Sequence, residues 1–185
     1  MKEERFIIKK GGNNMLKENI EKALNEQINA ELYSAYLYQA MAAYFEGKSL
    51  DGFASWMDLQ AEEEMAHARK IYDYVNERGG RVILEGIDKP KNEWNSNLEV
   101  FEDSLAHEEK ITAMINDLVA LADQENDYAT HSFLQWFVDE QVEEEDSVGE
   151  IVDRLKLIED STQGLFMMDD KLGARTKSAD TGEEE

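Results

Sequence analysis

The stretch Arg81–Asn95, RVILEGIDKPKNEWN, holds Gly86 and Pro90, the one proline of the chain. It is the only long connection between helical segments, and it is long enough to run from one end of a helical bundle to the other. On its N-terminal side two segments carry a helical period. From about Leu16 to Phe45 the residues Ile20, Leu24, Ile28, Leu32, Ala35 and Tyr36 recur at three to four, and the segment stops near Gly47. Ser49 is placed to cap a second helix, which carries Phe53, Trp56, Met57, Gln60, Glu64, His67, Ile71 and Tyr74 down one side and ends at Gly79-Gly80. On the C-terminal side, Ser96-Asn97-Leu98-Glu99 is a capping box for a third helix to about Gln124, and Asp127 caps a fourth to about Ile158. Ser161 opens a short fifth helix through Leu172. Two helical hairpins joined by one crossover predict an all-α four-helix bundle of the crossover type, with a short C-terminal helix added.

Composition agrees with an almost wholly helical domain. The 185 residues include one Pro and no Cys, are 42% hydrophobic, and suffice for one domain with a real core. With 42 acidic residues against 19 basic, the formal charge is −23, which repels phosphate backbones and anionic lipid heads. No nucleic-acid or membrane partner is expected, and cations fit better. The lack of Cys excludes disulfides, thiolate metal sites and a Cys nucleophile, leaving oxygen and imidazole ligands. No apolar run approaches the roughly 20 residues that cross a bilayer. Phe6-Ile7-Ile8 is too short for a signal peptide, so a cytoplasmic protein is expected. Residues 1–14 are set apart from the fold. Lys9-Lys10-Gly11-Gly12-Asn13-Asn14 back-translates into an A-rich, ribosome-binding-like stretch ahead of Met15, which reads either as a translated leader or as a flexible or added tail. Residues 15–174 form the domain and 175–185 an acidic tail.

The chemistry centres on Glu64-Met65-Ala66-His67, a Glu-x-x-His whose ends share a helical face and can grip one metal ion. Alone the motif is weak, since a Glu-rich chain supplies it by chance. Hairpin symmetry strengthens it. Glu31 and Glu64 are equidistant from the turn at Gly47-Lys48, and Glu108 and Glu144 are equidistant from Asn126. One carboxylate from each of four helices can therefore meet in a single layer beside His67. Four buried carboxylates are untenable without cations, and a pair of metal ions is the simplest compensation. Di-iron carboxylate bundles share this layout.

The segments Asn25–Ser34 (NEQINAELYS), Ala61–His67 (AEEEMAH), His107-Glu108 and Phe133–Glu145 (FLQWFVDEQVEEE) strongly resemble the non-haem ferritins of bacteria and archaea. The resemblance covers about Met15 to Ala174. It implies a ferritin-like bundle, a hollow 24-subunit homo-oligomeric cage built from dimers, oxidation of Fe(II) by oxygen or hydrogen peroxide, and storage of ferric mineral. It also implies a first iron site of Glu31, Glu64 and His67, and a second in which Glu64 bridges to Glu108 and Glu144, with Gln141 nearby. A third iron site would use Glu63, Glu140, Glu143 and Glu144, and Tyr38 and Trp136 would be the aromatic pair beside the centre. Carboxylates favour Fe(III) while one imidazole helps retain Fe(II), so the set suits both states. Zinc would bind but be idle.

Departures and alternatives follow from the same residues. The position three after Glu144 is Ser147, where a second Glu-x-x-His would place histidine. Met65 falls where bacterioferritins place a haem ligand, yet it reads better as filling a symmetric interface, and haem is not expected. A haem-binding bacterioferritin-like protein and a non-catalytic iron-buffering cage are the alternatives. Rubrerythrin-like chemistry needs a Cys-rich iron site that is absent here. His107 points about 100° away from its neighbour Glu108 and, with His131, reads as a surface or cavity residue; Glu62 and Glu145 read as solvated.

Overall fold

A computed structural model describes residues 16–158 and 161–176. The readings made above of residues 1–14, and of the tail beyond residue 176, lie outside the described residues. Five helices follow in order: α1 Glu18–Glu46, α2 Asp51–Glu77, α3 Asn97–Gln124, α4 Tyr128–Ile158 and α5 Thr162–Gly173. No strand occurs among the described residues, and no helix among them is long and apolar enough to cross a membrane.

The crossover follows from its anchors at both ends. Early in α1, Asn25 accepts from the Ile83 N–H at 2.7 Å and donates to the Arg81 carbonyl at 3.0 Å. Late in α1, the Tyr44 hydroxyl donates to the Trp94 carbonyl at 3.2 Å, and Trp94 Nε1 donates to Asp103 at 2.8 Å. The connection thus travels alongside α1 from Asn25 to Tyr44, about 28 Å at a helical rise of 1.5 Å per residue. α3 then starts beside the end of α1 and runs back along it: Tyr38 meets Ser104, Ser34 meets His107 and Lys17 meets Glu125. Gln60–Glu144, Tyr74–Thr130 and Arg78–Asp127 likewise set α2 antiparallel to α4.

Local chemistry ends the helices. After α2, Gly79 takes φ 73°, and the N–H groups of Gly80 and Gly79 close on Val75 and Asn76 at 2.9 and 3.0 Å. After α3, Asn126 does the same with φ 54°. This is the left-handed stop that satisfies the last carbonyls of a helix. The turn after α1 uses it too, and the residue that takes the left-handed backbone is Ser49, at φ 58°. Ser49 is therefore not the cap expected of it. Leu50 precedes α2 without a side-chain cap, because a residue spent on closing α1 cannot also open α2. Three other caps lie where they were read. Ser96 accepts from Glu99 N–H at 3.0 Å, Asp127 from Thr130 at 3.1 Å and Ser161 from Gly164 at 3.1 Å. The reciprocal half of the capping box is shifted, with Glu99 accepting from Asn95 rather than Ser96.

Two apolar clusters fill the bundle. One gathers Tyr38, Phe45, Phe53, Trp56, Phe101 and Val148 with α5; the other gathers Ile20, Ile28, Ile71, Ile111, Leu134 and Phe137. Between them lies a buried polar belt: Gln27, Glu31 and Ser34 from α1, Gln60, Glu64 and His67 from α2, Ser104 and Glu108 from α3, Gln141 and Glu144 from α4.

Candidate metal centre

Helical period supplies the belt. Gln27, Glu31, Ser34 and Tyr38 lie at steps of three to four on α1, and Gln60, Glu64 and His67 do so on α2. All seven are buried, with Glu31 and Glu64 each 1% exposed. Ligand atoms of Glu31, Glu64 and His67 lie within 4.8 Å of one another, and those of His67, Glu140 and Glu144 form a second such group. Glu31 Oε2 and both Glu64 oxygens are buried without a hydrogen-bond partner. Glu64 Oε2 has only His67 Nδ1 near it, at 3.6 Å, and burying carboxylate oxygens without hydrogen bonds carries a cost that a bound cation would recover.

The remaining carboxylates are held in place by neutral donors. Gln27 Nε2 donates to Glu31 Oε1 at 2.8 Å and Gln60 Nε2 to Glu144 Oε2 at 2.7 Å. The Tyr38 hydroxyl donates to Glu108 Oε1 and lies 2.9 Å from Ser104 Oγ. Gln141 Nε2 reaches Glu108 Oε2 at 3.3 Å and Thr112 Oγ1 at 3.2 Å. Trp136 stands edge-on to His67, 5.4 Å between ring centroids, and Lys70 Nζ lies 3.9 Å from the centroid of the indole.

Burial followed by mutual repulsion sets the electrostatics. Desolvation, then the neighbouring Glu64 charge, pushes Glu31 well above the usual carboxylate range. Desolvation, then Glu108 and Glu144, does the same to Glu64. Glu144 is pushed up to about 7 by desolvation and by Glu108, against the Gln60 hydrogen bond. Glu108 is also raised by burial, with the bonds from Tyr38 and Gln141 acting the other way. A cluster that resists ionisation when metal-free is one that a divalent ion would ionise on binding.

Other residues read from sequence fall out differently. Of the four carboxylates expected at a third site, Glu140 and Glu144 stand together with His67, while Glu143 is exposed and Glu63 is paired with Arg175 at 2.7 Å. Successive helical residues diverge by about 100°, so Glu143 and Glu144 do not share a direction. His107 is not a surface residue: it is buried, with Nε2 2.7 Å from Ser34 Oγ and its ring 5.7 Å from that of Tyr33. Burial lowers its pKa to about 4. Glu145 is half-buried rather than solvated, accepting from Thr112 Oγ1 at 2.5 Å. Glu62 is exposed, Met65 is half-exposed, and His131 lies 3.6 Å from Asp123. Sequence reasoning missed the supports Gln27, Gln60, Ser104 and Thr112. The signal for Gln27 was present, since it stands four residues before Glu31 on its own helix; Gln60 donates across to Glu144 on α4, a contact that only helix packing decides. Arg175, grouped with the acidic tail, instead reaches Gln60 and Glu63.

A crossover four-helix bundle with a buried Glu/His layer defines a carboxylate-bundle protein suited to binding hard or borderline metal ions. The model of the Ferritin-like domain matches residues 21–158, and the chain belongs to the ferritin family. It is 48% identical to a bacterial non-heme ferritin of Staphylococcus epidermidis over 162 residues, covering 88% of this chain and 98% of that one. A bacterial non-heme ferritin of Staphylococcus aureus is 44% identical over 162 residues, with the same coverage of 88% and 98%. Among solved structures, an open-pore ferritin from the hyperthermophilic archaeon Archaeoglobus fulgidus superposes with a TM-score of 0.86 at 49% identity, over 87% of this chain and 98% of that one.

Proposed function

We propose that this chain is an iron-storage ferroxidase, which takes Fe(II) as substrate at an intra-subunit pair of positions and passes Fe(III) to a mineral inside a cytoplasmic cage of 24 copies. The observation that carries the reading is the convergence of Glu31, Glu64 and His67 within 4.8 Å, with three buried carboxylate oxygens that no hydrogen bond satisfies. The first ion is held by Glu31, Glu64 and His67. The second is held by Glu64, Glu108 and Glu144, with Gln141 fixing Glu108. A third position, by which iron leaves the centre, uses Glu140 and Glu144 with Glu63 beside them, while Glu143, exposed on the neighbouring face, meets the ion only on its outer side. Tyr38 orients Glu108, and Trp136 walls His67. No haem is required.

The electron balance is simple. Two Fe(II) ions give up two electrons, and dioxygen takes these with two protons to leave as hydrogen peroxide. With peroxide as oxidant, two electrons and two protons yield two waters. Protons displaced from the raised carboxylates when iron binds are available for either step.

Stopped-flow oxidation of Fe(II) tests the reading. The wild-type protein is expected to show a fast, saturable phase that Glu64→Ala or His67→Ala largely abolishes, while circular dichroism and electron microscopy find helix content and shell unchanged. A Glu64→Ala protein oxidising iron at the wild-type rate rejects the site. A rate that never saturates in the natural protein marks an iron-buffering shell instead.

A further inference from the structure

Arg175 lies two residues past α5 and makes three contacts at the edge of the centre. Its Nη2 donates to Glu63 Oε2 at 2.7 Å, its Nη1 donates to Gln60 Oε1, and its guanidinium sits 5.0 Å from the Trp56 ring centroid. The Arg175 and Glu63 side chains are mostly buried, 26% and 16% exposed. Gln60 is fully buried, and its two neighbours settle which way its amide faces. A guanidinium only donates, so the amide oxygen faces Arg175; a carboxylate only accepts, so the nitrogen faces Glu144, at 2.7 Å. One cation therefore restrains two carboxylates, Glu63 directly and Glu144 through Gln60. Glu144 in turn stands with Glu140 and His67.

We infer that Arg175 is a built-in counter-cation of the third position: it occupies Glu63 and, through Gln60, holds Glu144, so that an ion settles there only by displacing it. The inference deepens the proposed function and rests on it. Exchange of a guanidinium for a metal ion leaves Glu63 paired throughout, which avoids leaving a mostly buried carboxylate without a partner. Departure of Arg175 also frees the Gln60 amide to rotate and release Glu144 Oε2. The order of filling follows, with the two inner positions taken while Arg175 is in place and the third taken afterwards. A pocket of about 200 Å³ lined by Trp56, Ser147, Glu150, Lys171 and Arg175 gives the guanidinium room to swing aside, beside a Glu150 carboxylate that Arg154 and Lys171 already pair.

Anaerobic calorimetric titration of the assembled, metal-free protein with Zn(II), a redox-silent probe, reads the third position directly. Wild type is expected to take two ions tightly and a third weakly. Arg175→Ala and Arg175→Gln are expected to bind the third about tenfold more tightly, the scale of a partly buried charge-assisted pair, with the affinity of the first ion, which Glu144 does not hold, within about twofold of wild type. Arg175→Lys keeps the charge but cannot fork to Gln60 and Glu63 together, and is expected to fall between. The lysine and glutamine variants report the same quantity should the alanine variant assemble poorly. If the third affinity is unchanged or weaker in all the Arg175 variants while Glu63→Ala abolishes it, Arg175 is only packing and the inference is overturned, leaving the function intact. If instead Glu64→Ala leaves the first two affinities unaltered, the proposed function itself fails and the inference falls with it.

Discussion

At the scale of single residues the centre is governed by four carboxylates that the fold desolvates. Glu144 titrates at about 7 in the folded chain, well above the ordinary carboxylate value, so the metal-free fold holds a proton that the unfolded chain has already lost. The stability tied to that proton is fully present below the unfolded pKa and is lost as pH rises through about 7. Glu31, Glu64 and Glu108 are shifted in the same direction. The melting temperature of chelator-treated protein is therefore expected to fall between about pH 5 and pH 8. Glu144→Gln removes one of these groups and should give a visibly shallower fall in melts followed by circular dichroism. Equal slopes for the two proteins would show that Glu144 ionises as freely folded as unfolded. Added divalent ions should reverse the trend, because they bind only the folded form and gain affinity as protons leave.

At the scale of elements, α5 is seated by a close backbone approach. A Cβ placed on Gly52 at the start of α2 would lie 1.8 Å from the Asp169 carbonyl oxygen, and the Phe53 N–H donates to Asp169 Oδ1 at 3.0 Å. Gly52→Ala cannot be absorbed by a flexible side chain, since the obstacle is backbone. It is expected to cost roughly 1–3 kcal/mol and to unseat α5, seen as faster amide exchange over Thr162–Gly173 with protection of α1 to α4 retained. Unchanged exchange in α5 would mean that the two backbones do not touch in solution. On α4, Ser147 stands three residues after Glu144, on the same side of the helix. Ser147→His adds an imidazole there and is expected to hold the second ion longer, slowing iron transfer to the mineral. Equal retention of both ions by the natural protein, in metal titration, would count against that asymmetry.

At the scale of the whole molecule, charge dominates. Without residues 1–14 the subunit keeps 15 basic and 40 acidic residues, a formal −25, so a 24-subunit shell would carry on the order of −600 before counterions bind. Such a shell is expected to dissociate towards dimers in dilute buffer with chelator and to re-form with salt, divalent ions or iron loading, since the Debye length is about 10 Å at 0.1 M salt and longer below it. Light scattering across a salt series on metal-free protein checks this. A shell that stays whole at the lowest ionic strength would place most of the acidity where bound ions already neutralise it.

By itself the chain determined its helices, their order and its long crossover, because apolar period, cap residues and the Gly/Pro content of Arg81–Asn95 act over a few residues. It also made the meeting of Glu31, Glu64 and His67 legible, because residues equidistant from a tight hairpin turn must lie at one height. That Ser49 closes α1 instead of opening α2 is local, set by a turn of four residues in which one residue cannot serve both ends. Tertiary structure decided what depends on the rotation and separation of helices distant in sequence. That His107 is buried against Ser34, and that Glu145 finds Thr112, depends on how α1 and α4 lie against α3. The docking of Arg175 on Glu63 and Gln60 depends on α5 folding back onto α2. A helical period states which residues share a face; which partner that face meets, and whether water reaches it, is set only when the helices pack.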